Sequence, residues 1–89
     1  MATTLAPEVL SDELALSLAR VMASANRRAR ELGVDADQSV ITISQRPHGA
    51  DLVWRINYGP RDYIGRRGGD LIIDIDARSL SVTQVLSGQ

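Results

Sequence analysis

The stretch LVWRINYGPRDYIGRRGGDLIIDID, residues 52–76, decides how the chain is read. It opens with strict alternation: Leu52, Trp54, Ile56 and Tyr58 fall on one side, and Asp51, Val53, Arg55 and Asn57 on the other. It closes the same way, with Leu71, Ile73 and Ile75 against Asp74 and Asp76. Period-two alternation is the signature of a strand with one face buried and one face wet. Two such segments joined by a glycine- and arginine-rich run at 59–69 imply neighbouring strands of one sheet.

Working outward, QSVITISQ (38–45) is rich in β-branched residues and reads as a strand before a turn at 46–49, RPHG. ARS (77–79) reads as a tight turn, and LSVTQVL (80–86) as the last strand. Upstream, Leu14, Leu18, Val21, Met22, Ala25, Ala29 and Leu32 recur at spacings of three and four, one apolar stripe on a helix. That helix starts either at Pro7, whose missing N–H costs nothing in a first turn, or at Ser11, the better N-cap. Arg27, Arg28 and Arg30 crowd its last turns, where cations suit the dipole, and Gly33 suits the left-handed residue that ends it.

The order helix, strand, strand, strand, strand with short connections predicts an α+β domain: one long N-terminal helix on a four-stranded antiparallel meander. The 89 residues form one domain, with 1–6 frayed. The expected core is Leu18, Val21, Met22, Ala25, Ile41, Ile43, Leu52, Trp54, Ile56, Leu71, Ile73, Ile75 and Val82.

Composition excludes several classes of function. With no cysteine, disulfides, thiolate metal sites and cysteine nucleophiles are ruled out. Ten basic and eleven acidic residues give a net charge of -1, which argues against nucleic acid as a general partner. The basic residues are all arginine, a bias that a GC-rich genome explains. No apolar run approaches the ~20 residues that span a membrane, and the N-terminus has no leader-like basic start and apolar core, so the chain reads as cytoplasmic.

Four features have the residue types for chemistry or recognition. The 59–69 loop carries Arg61, Arg66 and Arg67 with four glycines, a set that can present N–H groups and guanidinium forks to an anion. It matches neither phosphate-loop pattern and runs strand to strand, so its bland reading is a solvated surface connection. Asp74 and Asp76 project from one side of a strand and with His48 would suit a small metal-dependent hydrolase; the bland reading is a wet face with Asp76 opening a turn. A lone histidine without cysteine reads as a turn residue rather than as a transition-metal ligand. Trp54 reads as core rather than as an interface anchor. No cofactor is implied.

The rhythm formed by Trp54, Gly68 and Gly69, Ile73, Ile75, Asp76 and Val82 resembles PepSY-like modules and the nuclear-transport-factor-like immunity proteins of bacteria. One departure stands out: in DARSLSV, Leu80 occupies the place of a turn glycine. The resemblance spans the C-terminal half. It implies a helix on a curved antiparallel sheet and a non-catalytic binder, such as an inhibitor or accessory protein, and it carries over no active-site residues.

Together these readings predict a protein-binding module that uses the polar sheet face and the loop, with Arg55, Arg61, Tyr63, Arg66, Arg67 and Asp74 as contact residues. A self-associating structural subunit, such as a homodimer, is the alternative, and the hydrolase is a third.

Overall fold

The computed structural model describes residues 5–60 and 70–87. Helices α1 (Pro7–Leu10) and α2 (Glu13–Glu31) lead through a 3₁₀ turn (Ala36–Gln38) into strands β1 (Ser39–His48), β2 (Asp51–Pro60), β3 (Leu71–Asp76) and β4 (Val82–Ser87). All pairings are antiparallel, in the order β1-β2-β3-β4, so the expected α+β meander is the observed fold.

Of the two proposed helix starts, Pro7 is used and Ser11 is not. Pro7 opens α1, and Ser11 closes it by donating its hydroxyl to the Glu8 carbonyl at 3.2 Å. The N-cap of α2 is Asp12, not Ser11: Asp12 is extended, and its carboxylate accepts the Ala15 N–H at 3.0 Å. Ser11 itself has helical φ/ψ and cannot serve. At the other end Gly33 takes φ 84°, and the N–H groups of Gly33 and Val34 donate to Arg30 and Ala29. These paired bonds satisfy the last carbonyls in the Schellman arrangement.

α2 packs over β3 and β2. Val21, Ala25 and Ala29 are fully buried along one stripe, with Leu18 and Met22 beside them. Two alanines at the contact let the helix lie close to Ile56, Ile73 and Ile75, all three fully buried. Leu14 and Leu32, at the ends of the stripe, are exposed. Nineteen helical residues span about 28 Å, against about 20 Å for the six-residue β3, so the helix outruns the layer beneath it.

The placement of α2 also corrects the expected core. Ile43 is 38% exposed, Leu52 39% and Val82 37%. They face the helix side, but Ile43 lies on the edge strand, and Leu52 and Val82 near strand ends, outside the helix's footprint. Tyr58, Ala29 and Ala36 are buried instead, and Val85 packs against the core.

β1 runs three residues past the expected strand end, through Arg46 and Pro47 to His48, into the stretch expected as a turn, so His48 is a strand residue. Proline is tolerated because β1 is an edge. The hairpin closes with only Gly49 and Ala50 between His48 and Asp51, and Gly49 supplies the positive φ (65°) that two-residue turns need.

The 77–79 turn forms as expected. The Asp76 carboxylate accepts the N–H groups of Arg78 and Ser79, both at 2.8 Å. Leu80 then takes φ 63°, the left-handed value its glycine-like position demands, and β4 starts only at Val82. Its carbonyl accepts the Ser24 hydroxyl at 3.0 Å, tying the turn to α2. A left-handed Leu costs about 1–2 kcal/mol. Leu80→Ala keeps that strain and loses the packing of a half-buried side chain, whereas Leu80→Gly loses the packing but sheds the strain. Leu80→Gly is therefore expected to be the more stable of the two by about 1 kcal/mol in urea unfolding, reversing the usual order.

Candidate interaction face

Because strand side chains alternate, the face turned away from α2 is fixed by register. Three rows cross it: Thr42–Asn57–Ile72–Leu86, Ser44–Arg55–Asp74–Gln84, and Arg46–Val53–Asp76. Among the described residues no helix packs on this face.

Its centre is an ion pair. Arg55 and Asp74 stand directly opposite in the β2–β3 ladder. Arg55 donates Nε to Oδ1 at 2.8 Å and its terminal nitrogen to Oδ2 at 2.9 Å, a bidentate fork. Asp74 is only 5% exposed, although it lies on the uncovered side. The expected wet carboxylate is thus sealed by its partner and the adjoining strands. The Arg55 hydrogen bonds hold the Asp74 carboxyl below its ordinary range against the opposing effect of burial, and Arg46 adds a further lowering. The same bonds raise Arg55.

Asp74, Asp76 and His48 border one concavity of about 260 Å³, with Arg46, Asp51 and Gln84. The hydrolase reading needs free carboxylates there, and these are engaged: both Asp74 oxygens by Arg55, and one Asp76 oxygen by the turn. Asp76 is lowered by the Ser79 and Arg78 N–H bonds, as a turn residue is. Among the described residues no three histidine or acidic side chains are placed to hold a metal ion.

On the helix side, Pro60 and Asp70, which bracket segment 61–69, both line a pocket of about 460 Å³ with Leu32, Val34 and Tyr58. Tyr58 donates its hydroxyl to Asn26 Oδ1 at 2.7 Å. Burial pushes its pKa up to about 12, with Arg30 opposing. Arg61, Tyr63, Arg66 and Arg67 lie outside the described residues. Trp54 is buried in the core, as expected.

Of the expected contact residues, Arg55 and Asp74 are therefore brought together. The readable signal was opposite charge on the same side of consecutive strands. Nothing in the sequence marked Asn26 as the partner of Tyr58. Among the described residues no helix is long and apolar enough to cross a membrane. No family model matches the sequence, and no curated protein or solved structure matches it.

Proposed function

We propose that the protein is a non-catalytic binding module, an inhibitor, immunity or accessory protein in kind, that receives a protein partner on the face turned away from α2. The supporting observation is that this face has no covering element among the described residues and still carries a built centre. The bidentate Arg55–Asp74 pair sits between Ile72 and Leu86 on one side and Val53 and Arg46 on the other. A paired, nearly neutral centre flanked by apolar side chains suits a protein surface better than a polyanion. Segment 59–69 adds Arg61, Arg66 and Arg67, which set encounter rate and specificity, and Tyr63 as an aromatic anchor. The resemblance to PepSY-like modules, a bacterial origin and a cytoplasmic location belong to the same proposal.

The test is affinity capture from an extract of the source cells by the immobilised full chain. Gln84→Glu with Leu86→Glu alters two exposed positions on the face, Arg66→Glu with Arg67→Glu alters the loop, and Arg27→Glu on the exposed side of α2 is the control. A partner held by the wild type and the control and lost by both double variants is the expected result. Capture untouched by the Gln84/Leu86 variant would remove the face from the proposal, and capture untouched by the Arg66/Arg67 variant would remove the loop.

A further inference from the structure

The two edges of the sheet are unequal. β4 has six residues, and its pairing with β3 shifts register between Asp74 and Ile75. Short length and irregularity both blunt an edge against further pairing. β1 has ten residues and pairs with β2 in unbroken register. Arg46 and Pro47 guard only its far end: from Ser39 to Gln45 it carries no charge and no proline, and among the described residues nothing pairs with its outer side. α2 packs over β3 and β2. Val40 on one face of β1 and Ile43 on the other are 50% and 38% exposed.

From this we infer that a second copy of the chain pairs antiparallel along β1, about a two-fold axis through Thr42, to make one continuous eight-stranded sheet. In that register Thr42 meets Thr42 of the second copy, Ile41 meets Ile43, Val40 meets Ser44, and Arg46 meets Gln38. The axis through Thr42 makes the isoleucine match twice by symmetry, on the helix side where Ile43 is otherwise bare. An axis through Ile43 would make one such match and set Ile41 against Gln45.

Charge favours the same arrangement. The approach to β1 is acidic, with Asp35 and Asp37, and the far end carries Arg46. Antiparallel pairing lays each Arg46 beside the acidic start of the other copy. Asp51, opposite His48 in the ladder, is an acid at the far end but lies one strand inward.

A seam one strand wide buries less than a standard interface, so the dimer is concentration-dependent, with dissociation in the micromolar range. It leaves the face turned away from α2 free, so it stands or falls independently of the proposed binding role.

The chain has no cysteine, which makes single-cysteine trapping unambiguous. Thr42→Cys sets two thiols opposite each other across the axis, within disulfide reach, whereas two Val40→Cys thiols would be about 13 Å apart along the strand. The expected results are a wild-type sedimentation mass that rises from 9.7 kDa towards twice that value with concentration, and its loss in Thr42→Lys. Oxidation should give a covalent Thr42→Cys dimer at least roughly tenfold faster than Val40→Cys. A wild type that stays monomeric across the series would overturn the inference, as would Thr42→Lys associating like the wild type or equal trapping rates for the two cysteine variants. Circular dichroism of each variant confirms that monomers being compared are folded, and the trapping rates decide the matter should Thr42→Lys be unfolded.

Discussion

Ile73→Ala is expected to cost about 3–4 kcal/mol, read as a drop in urea midpoint with little change in slope. Ile73 is fully buried at the middle of β3, paired with Ile56 on one side and Val85 on the other, under the stripe of α2. Removing three carbons there leaves a cavity between a helix that contacts the sheet through alanines and strands held by their ladders, and neither layer can collapse freely into it. A domain of this size has a total stability on the order of 5–10 kcal/mol, so the variant sits near its unfolding threshold. Ile43→Ala is the comparison: the same side chain, 38% exposed on β1, is expected to cost about 1 kcal/mol as monomer. Equal losses at the two positions would mean that α2 does not lie where β3 and β2 place it.

The second large effect comes from the Arg55–Asp74 pair, and it is asymmetric. Arg55→Leu leaves a carboxylate only 5% exposed with no cation on it, whereas Asp74→Leu leaves a guanidinium whose side chain is 27% exposed and can reach water. Arg55→Leu is therefore expected to lower the thermal midpoint more than Asp74→Leu. The double variant, with an apolar pair across the same ladder position, is expected to recover most of the loss. Double-mutant analysis of thermal unfolding checks the order, and equal single losses would contradict it. The pH dependence follows from the direction of the Asp74 shift. Its folded pKa is depressed, so the stability it contributes is present above the ordinary carboxylate range of about 4 and is lost as pH falls through the folded value. Asp76, lowered by its turn N–H bonds, acts in the same direction. In Arg55→Leu the main depressing partner is gone and only the weaker pull of Arg46 opposes burial, so acid unfolding should begin at higher pH than in the wild type.

The topology was legible in the sequence because each element carries its own period. The three-four spacing from Leu18 to Ala29 and the alternation in 52–58 and 71–76 depend on no distant residue. Ile43, Leu52 and Val82 alternate as correctly as Ile56 and Ile73, yet their exposure depends on where a single helix rests across four strands, which no local pattern encodes. Leu80 shows the same division. The resemblance put a turn glycine at its place, and only the backbone reveals a leucine holding φ 63° there. In the candidate site, opposite charges at 55 and 74 were readable, but their bidentate contact needs the β2–β3 register, set across a connection that sequence cannot measure. Serine outranked aspartate as the cap of α2 because a four-residue helix ahead of it was not separable from a frayed start.

The most direct test of a sheet covered on one side only is methyl NMR of the isoleucines in dilute protein with a soluble paramagnetic agent. Ile72 and Ile73 are neighbours on one strand and point to opposite faces, Ile72 half-buried on the uncovered side and Ile73 sealed under α2. The expected result is strong broadening of the Ile72 methyl, with Ile56, Ile73 and Ile75 protected. An Ile72 methyl as protected as that of Ile73 in the monomer would contradict it.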